Sequence, residues 1–330
     1  MNNWKSTIIF TDFVYVRLIS LIWKFNGLIK PDNLEIDAGQ ALNDIYIGES
    51  PDRPLVIDAN GVINVTDRAW DLFFMSGFEI KREIVFINCS ALDEKIQARY
   101  KEYCKGLNIQ YEPEQEAIVI FNSSIKVKNL KNLMQDVNAK ILEKIQFAIS
   151  ECFEENEEGN LLYLNSTPIK ASGEYNASKL IGNAEIFSLI TIRLADLVQE
   201  LITKFKIGDT LFPPCLLAVN LRACPFVAAI SMLLKIDFET IDHFGPISKL
   251  LDEDKMNKSL KFYDYIYCGD FAVGGTEIKI SQTYAHLRQS KLNHAIVLGS
   301  LHEPNIFKGF NLSSLVILKD LNPKAKFSLF

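Results

Sequence analysis

The sequence predicts an α/β protein in two parts, an N-terminal α/β domain followed by a domain built on a parallel sheet. Three observations carry this reading. A length of 330 residues is that of about two domains. From residue 53 onward, short β-branched apolar runs alternate with stretches of helical periodicity, the rhythm of an α/β layer. From residue 215 the apolar runs become continuous, as in parallel strands covered on both faces. With 48% hydrophobic and 23% charged residues the chain can build packed cores, which excludes wholesale disorder.

The elements divide at residues 34 and 155 into an apolar N-terminal helical segment (1–34), a first domain (35–155) and a second domain (156–330). Residues 6–29, STIIFTDFVYVRLISLIWKFNGLI, have the length of a membrane span, but Asp12, Arg17 and Lys24 interrupt them. Each such charge would cost roughly 2.5–3.5 kcal/mol near a bilayer centre. A buried helix, or a strand and a helix, docked on the second domain or on a partner chain, is expected instead, with no membrane association. PLVID (54–58) then reads as a strand, and a helix opens at DRAWDLFF with Thr66 as N-cap and Asp67 in its first turn. EIVFINCS (83–90) is the next strand, ALDEKIQARYKEYCK the next amphipathic helix, AIVIF (117–121) a third strand, and a long helix covers 130–151. CFEENEEGN (152–160) reads as a solvated linker.

This order resembles the STAS domain, the module of anti-sigma-factor antagonists, over roughly residues 35–155. Many STAS regulators carry a phosphorylatable Ser or Thr at the start of the helix where this chain has Asn64, Thr66 and Asp67; Thr66 is read here as a backbone cap.

In the second domain a β-rich entry with an SGEY turn (172–175) precedes a long amphipathic helix capped by Asn183. Five strands follow, at 215–220, 236–242, 263–270, 294–300 and 314–320, with helices between the first and second and between the third and fourth. Ligands of such sheets bind at the carboxyl ends of the strands. At one such end stands CGDFAVGGTEIK: Val273, Gly274, Gly275 and Thr276 form a strand-to-helix turn whose amides can face a phosphate. Conformational demand for glycine at the same turn explains the pattern equally well. The Lys of a P-loop and the spacing of a dinucleotide fold are absent.

Element order over residues 159–330 resembles the type I phosphoribosyltransferases, most nearly the orotate branch. The resemblance assigns LLAVNLRACPFVAAIS to the pyrophosphate loop, IDHFGP with His243 to the loop after the second strand, and CGDFAVGGT to the phosphoribosyl pyrophosphate loop. Departures are pronounced. The family's adjacent acidic pair falls on Cys268 and Gly269, leaving Asp270 as the nearest carboxylate, and Ala223, Cys224 and Pro225 replace the glycine pair of the pyrophosphate loop. The lysines that stabilise departing pyrophosphate have no match near His243. Two readings follow. In one, a catalytically degenerate domain binds a phosphorylated ribose, a nucleotide or a protein partner, as a regulatory component resembling parts of bacterial phage-defence systems. In the other, a diverged transferase or nucleotide-modifying enzyme uses Asp270 as metal or ribose ligand and Arg222 as anion clamp, and only then requires Mg2+.

Thirty-five basic against 41 acidic residues give a net charge of -6, no basis for counterion-driven nucleic-acid binding. The lysine-bearing KVKNLKNL (126–133) reads as a solvated helix face. Six cysteines without metal-ligand spacing and four dispersed histidines predict no transition-metal site and a reduced, cytoplasmic chain; a protein partner or a homo-oligomer is expected.

Overall fold

The structure is a computed structural model describing residues 5–10, 12–18, 24–25, 29–30, 53–60, 62, 67, 70–71, 74, 83–103, 106–121, 130–164, 169–207, 212–241, 262–301, 310–322 and 325–328. Thr66, Asn64, Cys104, His243 and His302 lie outside them. The chain divides into two compact units, residues 1–24 with 29–141 and residues 25–28 with 142–330.

The first unit holds a six-stranded mixed sheet. Its strands are β1 (Lys5–Ile9), β2 (Val14–Leu18), β3 (Leu55–Asp58), β4 (Ile84–Ile87), β5 (Asn108–Glu112) and β6 (Ala117–Phe121), in the order β1-β2-β3-β4-β6-β5. The three middle strands β2, β3 and β4 run parallel, and β1, β6 and β5 are added antiparallel. Helix α1 (Asp93–Tyr103) turns Ile96 inward, and Trp70 packs against Phe74 and edge-on against Phe86 in the core. The helix expected within residues 6–29 is therefore corrected: its described residues include a hairpin, β1 paired with β2. An apolar run without periodicity does not separate buried helix from buried strand. Here the density of Ile, Val, Phe and Tyr, which suit a pleated surface, decides for strand.

The charges of that segment are accommodated without a bilayer. Asp12 sits at the hairpin turn, exposed and ion-paired with Lys140. Arg17 is buried, and its guanidinium donates to Asp58 Oδ1 at 2.9 Å. Asp58 also accepts from Tyr15 OH (2.5 Å), Asn88 Nδ2 (2.8 Å) and the Asn60 amide (3.1 Å). Burial pushes this carboxyl up, but the Arg17 charge and the three hydrogen bonds outweigh it and hold Asp58 below the ordinary aspartate range.

Helix α2 (Leu130–Ser150) buries Leu133, Val137, Ile141, Ile145 and Ile149, one residue per turn along a single stripe. The division of the chain falls within it, at 141/142 rather than at 155/156. The expected linker at 152–160 is structured: β7 (Phe153–Glu155) continues from α2. After it come β8 (Leu162–Tyr163), β9 (Lys170–Ala171) and β10 (Gly173–Tyr175). The SGEY segment is thus a strand, not a turn, and it pairs antiparallel with β7. A side chain at Gly173 would collide with the Glu154 carbonyl, so glycine permits the two backbones to meet. The acidic residues of the run marked it as surface, while buried Cys152 and Phe153, stacked on Tyr175 at 5.1 Å, anchor it.

Short helix α3 (Ser178–Ile181) leads to α4 (Ala184–Phe205), whose start is capped by Asn183 Oδ1 accepting from the Ile186 amide at 3.1 Å. The central layer follows: β11 (Pro214–Ala218), α5 (Cys224–Leu234), β12 (Asp237–Thr240), β13 (Asp264–Ala272), α6 (Thr276–Leu287), β14 (Lys291–Ser300) and β15 (Asn311–Ile317). All five strands are parallel, in the order β12-β11-β13-β14-β15. The chain closes with α7 (Leu318–Leu321) and β16 (Phe327–Ser328), which pairs with β9. Among the described residues no helix is long and apolar enough to cross a membrane.

Candidate functional site

The order of the sheet locates the site. From β11 the chain moves through α5 to one side of the sheet, and from β13 through α6 to the other, so the crevice between the carboxyl ends of β11 and β13 is a topological switch point. A cavity of about 460 Å³ opens there, within the size range of small-molecule sites.

Three segments supply its polar and charged side chains, with Leu164 and Phe327 adding apolar wall. The residues after β11 contribute Asn220 and Arg222, the end of β13 and its turn into α6 contribute Asp270 to Glu277, and β10 contributes Glu174 and Tyr175. Asn220 is held at both ends. Its Oδ1 accepts from the Ala223 amide at 2.7 Å, capping the turn into α5, while its Nδ2 donates to Asp270 Oδ1 at 2.9 Å and to the Glu277 carboxylate at 3.0 and 3.2 Å. Glu277 also accepts from Tyr267 OH at 2.7 Å. Tyr267 is pushed well above its ordinary pKa by burial and by the Glu277 charge, so its proton stays on the phenol and is donated.

Asp270 is 7% exposed. Its Oδ1 takes both Asn220 and the Phe271 amide, at 2.7 Å. Its Oδ2 receives no hydrogen bond from the described residues and belongs to a side chain lining the cavity. Burial, then the nearby Glu277 charge, raise its pKa against the hydrogen bonds of Asn220 and Phe271 and the charge of Arg222. A buried acceptor with one oxygen open to a cavity suits a hydroxyl donor or a cation.

The residues singled out in the sequence meet here: Arg222, Asp270, Val273, Gly274, Gly275 and Thr276 all line this cavity. His243 lies outside the described residues. Gly275 adopts φ +70°, ψ +13° immediately before α6, a left-handed conformation that by itself favours glycine. At the positions assigned to an acidic pair, Cys268 is buried, its thiol pushed up to about 12 by burial, and a side chain at Gly269 would collide with Tyr267.

Sequence reasoning missed Asn220, Tyr267 and Glu277, and with Glu277 it missed the second carboxylate of the site. The signals were an Asn two residues after a strand and four before a helix, and an acid in the first turn of α6. Both read as ordinary helix-end chemistry. Among the described residues no cluster of three or more His, Cys, Asp or Glu could hold a metal ion. Glu277 has both oxygens hydrogen-bonded and Asp270 has one, so these two carboxylates are the side chains of the lining that would hold Mg2+, together with waters and substrate phosphates.

No family model and no curated protein matches the chain. Its fold is similar to solved structures at low identity. Orotate phosphoribosyltransferase from Aeropyrum pernix is 17% identical, with 56% of this chain and 96% of that one covered at a TM-score of 0.36. UMP synthase from Leishmania donovani is 13% identical over 88% of this chain and 56% of that one, at 0.43. Adenine phosphoribosyltransferase from Leishmania donovani is 10% identical over 54% and 81%, at 0.38.

Proposed function

We propose that the second unit binds a phosphorylated ribose or a nucleotide at the β11/β13 crevice and does not catalyse phosphoribosyl transfer at ordinary rates. The observation that carries the reading is Asp270, a buried carboxylate that lines a cavity at the switch point of a parallel sheet, with both of its hydrogen bonds from the described residues on one oxygen. Ribose hydroxyls donate to Asp270 Oδ2, and the ligand's phosphate faces the Gly274–Thr276 turn and Arg222. Among the described residues lining the cavity, Arg222 is the one Lys or Arg against Glu174, Asp270 and Glu277. A loose displacement of pyrophosphate is driven mainly by cationic stabilisation of departing charge, and this lining supplies little of it.

Binding without turnover makes the chain a sensor. We extend the reading to a cytoplasmic regulatory component that couples the ligand to a protein partner or a second copy. The first unit serves as a STAS-like recognition module, in a setting such as bacterial phage defence. The second reading, a diverged transferase, is favoured by Glu277, which restores a second carboxylate beside Asp270 through Asn220.

Titration calorimetry of the full chain with ribose 5-phosphate, nucleoside monophosphates and phosphoribosyl pyrophosphate, with and without Mg2+, tests the proposal. Expected are binding independent of Mg2+, weakened in Asp270→Asn, and no pyrophosphate release with any nucleobase. Release lost by a factor on the order of 10² in Asp270→Asn establishes the transferase instead. Absence of binding by every probe removes the nucleotide reading.

A further inference from the structure

Among the described residues, the one Lys or Arg of the cavity lining is already engaged. Arg222 NH2 lies 3.4 Å from Glu174 Oε1, and both residues line the cavity, Glu174 from β10 and Arg222 from the loop after β11. Each side chain is about half exposed, 42% for Arg222 and 45% for Glu174, so the contact sits in reach of solvent and not in the core.

The register explains why Glu174 turns to Arg222. In the β7/β10 pair Glu174 stands directly opposite Glu154, and like charges in that relation repel. Glu154 is neutralised on its own side by Lys179 at 3.2 Å and by Asn176 Nδ2 at 3.2 Å. Among the described residues, Glu174 has its ion pair with Arg222.

Resting on the nucleotide-site reading, we infer that Glu174 is a built-in competitor for the ligand's anionic group. Its carboxylate holds Arg222 until a phosphate displaces it, and the pair selects ligands with a single phosphate. One arginine can be released, so one phosphate gains a partner. Among the charged side chains described in the lining, a further phosphate meets Glu174, Asp270 and Glu277, with no second Lys or Arg. The pair thus sets a threshold for occupancy and discriminates between a monophosphate and a more highly charged sugar phosphate.

The test is a double-mutant cycle on the full chain, read by calorimetry with ribose 5-phosphate and, as the uncharged counterpart, ribose. Glu174→Gln leaves the backbone pairing of β10 with β7 intact and relieves the Glu154 repulsion, so the fold is retained. Because a half-exposed ion pair is weak, Glu174→Gln is expected to tighten ribose 5-phosphate on the order of two- to fivefold. The gain vanishes in an Arg222→Gln background, and ribose binding is unchanged. Binding by Glu174→Gln alone, with none by the wild type, supports the competitor in its strongest form. An unchanged affinity in Glu174→Gln, an equal gain with Arg222 removed, or an equal gain for ribose overturns the competitor while leaving the nucleotide site standing. No binding of ribose 5-phosphate by either protein overturns the competitor, and the nucleotide site falls with it when nucleoside monophosphates and phosphoribosyl pyrophosphate also fail to bind.

Discussion

Replacing Asn220 by Asp changes one NH2 group to an oxygen and little else, and the site predicts a large effect from it. The variant keeps an oxygen for the Ala223 amide, so the turn into α5 retains its cap. What it loses is the donor that Asp270 shares at 2.9 Å with Glu277 at 3.0 Å. Hydrogen bonds to charged groups are worth about 1.5–3 kcal/mol each, and a third carboxylate now faces the first two. One of the three takes up a proton and restores one hydrogen bond, leaving a net loss of about 2–4 kcal/mol at pH 7. For a unit of this size that lowers Tm by roughly 4–16 °C. The sign of the pH dependence follows from the same charges. The carboxyls of the variant have folded-state pKa values above their unfolded ones, so the folded state binds more protons and the deficit shrinks as pH falls from 8 to 5. In the wild type Asp270, with its raised pKa, has the same sign in smaller measure. Thermal unfolding followed by circular dichroism across that range is the assay. A deficit of equal size at pH 8 and pH 5, or none at pH 8, refutes the shared-donor account.

Gly275→Ala should lower Tm by about 2–8 °C, from about 1–2 kcal/mol for a left-handed residue with a Cβ, and Gly275→Asn should lose less because Asn tolerates that region; equal stability of all three proteins would mean that φ +70° at this turn is not required. Arg17→Met removes one partner of a buried ion pair, for a loss of about 3 kcal/mol at neutral pH. Since Asp58 is held below its ordinary range by Arg17 and its hydrogen bonds, that contribution is present above the unfolded aspartate pKa and is lost as pH falls through the folded one. The gap between variant and wild type should therefore narrow in urea unfolding at about pH 3, below the ordinary aspartate value, relative to pH 7, and a constant gap would show that charge is not the cause.

The central layer was legible because its signals are local. Continuous apolar runs marked β11, β13, β14 and β15, and Asn183 announced the start of α4 as it does in the structure. The N-terminal hairpin was not legible, since its apolar run carries no period and only pairing with β3 makes Val14 to Leu18 a strand buried throughout. Strand β7 was hidden by its own acids, because charge reports exposure and says nothing of where a backbone finds its hydrogen bonds. The site was half legible. Asp270, Arg222 and the glycine turn stand near one another along the chain or carry a familiar spacing, whereas Asn220 meets Asp270 and Glu277 across 50 and 57 residues. That contact exists because β11 and β13 are neighbours in the sheet and β12, between them in sequence, lies outside.

The same topology gives the cavity a direction. Glu277 occupies the first turn of α6, where the helix dipole favours a negative charge, so part of that helix's capacity for anions is spent on its own side chain. Asn220 and Tyr267 hold the Glu277 carboxylate in place, which keeps it from swinging out as a mobile gate. Acceptor capacity is therefore concentrated at Asp270 Oδ2, and cationic capacity at Arg222. A ligand satisfying both must present a hydrogen-bond donor at one end and an anion at the other, as a sugar phosphate does. A ligand with two clustered anions leaves one of them facing carboxylates, and a purely cationic ligand leaves Arg222 with Glu174. The polarity of the crevice thus limits what it can bind more tightly than its volume does.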